Sequence, residues 1–203
     1  MSPLLENLPD LFKSALLTVE LTFFSILIGL CIGFIFSLMR ISKFKVLNYF
    51  SYYYSFIFRG TPLFVQIFII YFGLAQLELI RESILWTVLK KPYWCAIIAF
   101  ALNTGAYTSE IFRSGFEKID KNLIDAASSL GLNKLRIFLT ITLPIGIKRS
   151  IPAYGNEMIL MLKGTSLAST VTLLDLTGTA KYIISTHFNP VEVFIFVGSI
   201  YLF

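Results

Sequence analysis

Between residues 15 and 39 the chain carries one charged side chain, Glu20, in an otherwise mostly apolar run, and that run constrains what the rest can become. A helix rises about 1.5 Å per residue, so such a run matches the roughly 30 Å of bilayer hydrocarbon. A backbone in hydrocarbon must also satisfy its own polar groups, which a helix does. Gly29 and Gly33 stand at the spacing that lets two helices approach closely. Over the whole chain 56% of residues are hydrophobic and 14% charged, far too few charges for a soluble domain of 203 residues. The expected fold class is an all-α membrane protein, and residues 1–203 read as a single domain because no internal repeat or low-complexity segment divides them.

The net charge of +5 does not point to nucleic acid, because the Lys and Arg residues collect in particular loops, as the cytoplasmic loops of a multispanning protein require. Cys31 and Cys95 lie in or beside apolar segments without CxxC spacing, so both are expected to be buried, inert thiols, with no disulfide framework and no metal site. Residues 3–14 mix apolar and charged positions and read as an interfacial lead-in. They lack the pattern of a cleaved signal peptide.

Four further apolar segments follow. After Arg40, Lys43 and Lys45, the aromatic stretch 46–58 suits an interfacial helix. Thr61 as cap and Pro62 at the first helical position predict a second span over 62–79, with Arg59 on the water side and a partly helical external loop at 78–92. The third span is expected over 93–111. The fourth begins near Ile151, is shaped by Pro152, and meets Lys163-Gly164-Thr165-Ser166 after about 18 Å of rise, so it either continues as a broken helix or stops at a cavity near the midplane. Residues 177–189 read as a polar external connection containing the single His187, taken as a surface residue. Asn189-Pro190 starts a fifth helix, too short to finish a span, so a C-terminal piece is expected to be missing. Cation asymmetry places the loop at about 113–149 in the cytoplasm and the N-terminus outside.

Within that loop, residues 125–144 are polar, cationic and helix-forming. Small residues from Ala126 to Ser129, Gly131 able to take positive φ, Asn133 as a cap and Pro144 as a terminator describe a helix, a turn and a second helix. Leu123, Ala127 and Leu130 share one face of the first helix, and Leu135, Phe138, Leu139 and Thr142 one face of the second. Such a hairpin is marginal alone, so its apolar faces call for cover by another protein.

No nucleophile, metal or phosphate-loop pattern argues for catalysis. The informative residues are ionisable groups at membrane depth: Glu157, Lys163 and Glu110. A charge at the centre of a span costs on the order of 2.5–3.5 kcal/mol on insertion scales, so a retained one is paired or functional. Glu157, Met161 and Gly164 fall on one helical face, suited to a cationic or amine-bearing solute, and Asn103, Tyr107 and Glu110 recur on one face of the third span. A pair of Glu157 with Lys163, or with Asn103 and Tyr107, is the structural alternative. From these features alone, an ion-coupled carrier or channel using Glu157 is the alternative function.

Asp125-Ala126-Ala127, Gly131 and Ile141-x-Leu143-Pro144 resemble the EAA loop of ABC importer permeases, with Asp for the usual first Glu. Arg59-Gly60-Thr61-Pro62 with Gln66, Asn103-Thr104-Gly105-Ala106-Tyr107 with Glu110-Ile111-Phe112-Arg113, residues 152–157 and Lys163-Gly164-Thr165-Ser166-Leu167 are similar to the polar amino-acid branch, especially its histidine/lysine/arginine/ornithine members. The resemblance implies the type I importer permease fold, about five transmembrane helices with a cytoplasmic coupling hairpin, in the bacterial inner membrane. It implies an amino-acid substrate, probed here by Glu157, Gly164, Asn103, Tyr107 and Met161. The implied partners are a second permease, the same or a sister subunit, two ATP-binding subunits and an external solute-binding protein. Coupling would fall to Asp125, Ala126, Ala127, Gly131, Leu143 and Pro144. ATP and Mg would be bound by the partner ATPase, and this chain would hold no cofactor. Relatives that bind substrate carry carboxylates at the positions of both Glu157 and Gly164, so the uncharged Gly164 implies a reduced site.

Overall fold

The computed structural model describes residues 7–187 and 190–202. Helix α1 (Leu8–Ile41) opens with Pro9 and Asp10 in its first turn and closes with Arg40 in its last, an order that suits the helix dipole. The span expected at 15–39 therefore lies inside a longer helix, and the described part of the lead-in continues it. Leu11 is buried against Leu176, Ala180, Ile183, Val193 and Val197, which explains why that amphipathic turn is folded rather than interfacial.

Helix α2 (Lys45–Gly60) and α3 (Leu63–Phe68), which runs on through a wide π turn at Ile69–Gly73 and a tight turn at Leu74–Gln76, meet at a 102° bend. The corner corrects an expectation: Pro62 is the extended residue before the helix rather than its first residue. Thr61 does not cap; its hydroxyl donates to the Ile57 carbonyl. Gln66 closes the corner instead, its amide donating to Phe58 O at 2.7 Å, Thr61 O at 3.0 Å and Thr61 Oγ1 at 2.8 Å. The connection at 78–92 holds two short helices, α4 (Glu78–Arg81) and α5 (Trp86–Leu89).

Helix α6 (Pro92–Glu117) is the centre of the molecule, longer than the 93–111 span expected, so that the supposed loop at 113–149 begins inside it. Its largest neighbour is α1. A Cβ on Gly33 would lie 2.5 Å from Thr108 Cβ and 2.8 Å from Gly105 O, so the Gly29/Gly33 pair is a true close-approach face. The main core gathers Leu21 of α1, Ile67 of α3, Ile97 and Phe100 of α6, and Met161, Ala168 and Val171 further on.

After α7 (Lys121–Ser129) and α8 (Lys134–Ile137), the chain passes through a π turn at Phe138–Thr142 directly into α9 (Leu143–Gly164). Pro144 thus closes nothing. Its missing N–H and bulky ring are accommodated by the wide turn that precedes it, and the helical path continues past it. Pro152 lies within α9 without ending it. At Lys163-Gly164 the path tightens into a short-pitched segment, Thr165–Val171, the broken continuation that the sequence allowed, and it ends at Thr172 with φ +66°. Helix α10 (Leu176–His187) replaces the polar connection expected at 177–189, because Ala180 and Ile183 are buried against α1 and α11 (Pro190–Leu202). The cap expected at Asn189 and the side chain of His187 lie outside the described residues. Among the described residues two helices, α1 and α6, are long and apolar enough to cross a bilayer unbroken; the α2–α3 pair and the path from Lys134 through α10, bent by 49°, can each act as a broken span. Cys95 is buried as expected, but Cys31 is exposed on α1.

Candidate functional site

Glu157 sits on α9 against α6, with only 6% of its surface accessible. The hydroxyl of Thr104 donates to its Oε1 at 2.9 Å. It makes no ion pair among the described residues, so the pairing with Lys163 does not form; Lys163 is exposed and borders a different cavity with Tyr201 and Ser166. Leu63, Asn103, Tyr107, Glu157, Leu160 and Met161 line a cavity of about 190 Å³. Helical spacing explains the convergence: Asn103 and Tyr107 are one turn apart on α6, and Glu157 and Met161 one turn apart on α9.

Asn103 is held by two donations from its amide, to Phe58 O at 3.1 Å and to Gln66 Oε1 at 3.2 Å. Both amide hydrogens are used, so what remains for a solute is the side-chain carbonyl oxygen. The same bonds tie α6 to the α2–α3 corner and thereby place Arg59, whose guanidinium lies 5.2 Å from the centre of the Tyr107 ring. A buried carboxylate, a carbonyl acceptor, a thioether and an aromatic ring facing one small cavity can desolvate and bind a cation or a protonated amine.

One expectation is corrected here. Gly164 does not line the cavity: it packs behind Leu63, to whose Cδ2 an added Cβ would stand 3.3 Å away. Glu110, in register with Asn103 and Tyr107, meets Arg113 at 2.7 Å and Arg40 of α1 at 3.7 Å, and with Tyr107 it lines a second cavity, so the polar face of α6 looks into cavities. Thr104 and Leu63 were missed as site residues. Thr104 is one residue from Asn103, and only the packing of α9 shows that its hydroxyl meets the carboxylate.

The helical hairpin has the expected local chemistry. Asp120 caps α7 by accepting from Asn122 N–H at 2.9 Å, and Asn133 caps α8 by accepting from Arg136 N–H at 2.9 Å. Gly131 takes φ +77°, while Leu132 N–H bonds Ala127 O and Gly131 N–H bonds Ser128 O, the paired bonds of a Schellman turn. Ala127 is buried, whereas Asp125, Ala126, Gly131 and Pro144 are exposed and Leu143 is half-buried. Leu123, Leu130, Leu135 and Leu139 are all exposed, Leu130 by 82%, leaving an apolar surface uncovered at this end of the molecule.

A cavity with a buried carboxylate inside a helical membrane fold, on the same helical path as an uncovered cationic hairpin, defines a transport subunit that receives its work from another protein. The chain belongs to the family of binding-protein-dependent transport system inner membrane components, whose pattern matches residues 25–203. It is 46% identical to the nopaline transport system permease protein of Agrobacterium fabrum, over 98% of this chain and 83% of that protein. It is 36% identical to the arginine ABC transporter permease protein of Haemophilus influenzae, over 97% of this chain and 86% of that one. A crystal structure of an amino acid ABC transporter with histidines superposes with a TM-score of 0.88 at 32% identity, covering 98% of this chain and 89% of that chain. The protein is accordingly a permease subunit, a transport component rather than an enzyme, with ATP hydrolysis assigned to a separate subunit.

Proposed function

We propose that the chain carries a basic amino acid across the bacterial inner membrane, with Glu157 as the residue that meets the cationic group. The observation that carries this reading is the convergence of Glu157, Asn103, Tyr107 and Met161 on one small cavity, with the carboxylate held by the Thr104 hydroxyl and in no ion pair among the described residues. Permeases named for nopaline and arginine among its relatives support a basic amino acid as cargo.

The hairpin faces the cytoplasm and the N-terminus the outside, a reading supported by the collection of Arg113, Lys118, Lys121, Lys134, Arg136, Lys148 and Arg149 at the hairpin end together with Arg40, Lys43 and Lys45. Two ATP-binding subunits, which bind ATP and Mg, dock on the hairpins of two permeases. They cover Leu123, Leu130, Leu135 and Leu139, with Asp125, Ala126 and Gly131 at the contact. A solute-binding protein delivers the amino acid on the other side, and closure of the ATPases alternates access to the cavity.

The test is ATP-driven uptake of arginine, lysine and histidine by the reconstituted complex. Glu157→Gln should lower uptake of cationic amino acids about tenfold or more, as expected from loss of an ionic contact in a site of low dielectric. Unchanged uptake of all three would remove Glu157 from the site.

A further inference from the structure

We propose that a second cavity, bounded by Arg59, Tyr107, Arg113, Lys118 and Arg149, is a carboxylate subsite, so that the cargo is read at both ends: its cationic group at Glu157, its carboxylate at Arg59. The inference rests on the basic amino-acid reading above. The second cavity measures about 460 Å³, and Tyr107 lines both. Four cations line it against one carboxylate, Glu110. That carboxylate is already engaged by Arg113 at 2.7 Å and faces Arg40 at 3.7 Å. Arg113 also pairs with Glu117, and Arg149 donates to the backbone carbonyl of Lys118.

Once those groups are accounted for, the Arg59 guanidinium and the Lys118 ammonium remain without a hydrogen bond or ion pair among the described residues. Arg59 is the better placed of the two. It leaves the α2–α3 corner, which Gln66 and Asn103 fix by hydrogen bonds to Phe58 O, and it lies 5.2 Å from the centre of the Tyr107 ring. Arg59 is exposed, and its guanidinium facing a ring keeps its planar fork open to a two-oxygen acceptor. It is also within electrostatic range of Glu157. Tyr107 thus stands at both cavities, one holding a carboxylate and the other a guanidinium, each without an ion pair among the described residues, which is the complement of an amino acid with a cationic side chain. A cation without a carboxylate can satisfy only the first cavity.

Equilibrium binding of arginine and of agmatine, the same molecule without its carboxylate, to the intact permease–ATPase complex tests this. The complex is free of binding protein and ATP and held in bilayer discs of neutral phosphatidylcholine or of anionic phosphatidylglycerol. Arginine should bind about tenfold tighter than agmatine, the difference made by one charge-assisted contact. Arg59→Gln should bring that ratio close to one by weakening arginine alone, and Arg59→Lys should retain part of it. Glu157→Gln should weaken both ligands. A ratio unchanged by Arg59→Gln overturns the carboxylate subsite while leaving the Glu157 reading intact. A ratio present in neutral discs and abolished in anionic ones assigns the cavity to a lipid phosphate and also overturns it. If Glu157→Gln alters neither ligand, or the unmodified complex binds neither, the cation site itself fails.

Discussion

Among the described residues Thr104 gives the buried carboxylate of Glu157 its one hydrogen bond, and this makes the pair a fine control on the site. A hydrogen bond to a charged group contributes about 1.5–3 kcal/mol, and most of it is available for orienting the carboxylate toward a solute. Thr104→Val keeps the shape and removes the donor, so binding of arginine to the purified complex should weaken by about tenfold. Thr104→Ser, measured alongside, should restore most of it. If valine and serine behave alike, the hydroxyl has no part in holding Glu157. At this scale helical spacing made much of the site legible, since Asn103 and Tyr107, and Glu157 and Met161, each lie one turn apart. It could not show the approach of Glu110 to Arg40, because Arg40 belongs to a different helix and leaves no mark on the spacing of α6. It gave Gly164 a place in the site that Leu63 in fact occupies.

Among the elements, the α1–α6 contact and the hairpin make separate predictions. Gly33→Leu must push a side chain into Thr108 and the Gly105 carbonyl, where an added Cβ already stands 2.5–2.8 Å from its neighbours. Overpacking of this kind costs about 1–3 kcal/mol, so the midpoint of thermal unfolding in detergent should fall clearly, while Gly198→Leu, with nothing near its Cβ, should leave it in place. Gly131→Asp puts a side chain on a residue at φ +77° and a charge at the tip of the hairpin. The ATPase should no longer copurify, although the permease still inserts; a complex recovered in normal yield would remove the hairpin as the docking element. Caps were legible here because they are local: Asn133 and Gly131 do what their side chains and φ preferences dictate. Pro144 was misread as a terminator because a π turn upstream relieves it, and 177–189 was misread as a loop because the burial of Ala180 and Ile183 is supplied by α1 and α11, elements distant in sequence.

For the whole molecule, the work has to arrive from outside, since the chain leaves its hairpin uncovered and belongs to a family whose ATPase is a separate subunit. Vesicles containing the full complex should accumulate arginine with ATP inside and show none with a proton or sodium gradient alone. Accumulation driven by the gradient without the ATPase would favour an ion-coupled carrier instead. The number of apolar segments was visible in composition, whereas their bends were not: the 102° corner depends on Gln66 and Asn103 meeting across two helices. The passage from Lys134 to Glu157 has a mechanical meaning of its own. It contains no loop, only a π turn at Phe138–Thr142 and prolines at 144 and 152, and at helical rise it is a rod of roughly 35 Å. A rod without a joint cannot be displaced at one end alone, so a shift at the hairpin and a shift of the carboxylate are one movement. The π turn is its most compliant section, and the stroke that reaches the cargo is set by how little that section gives.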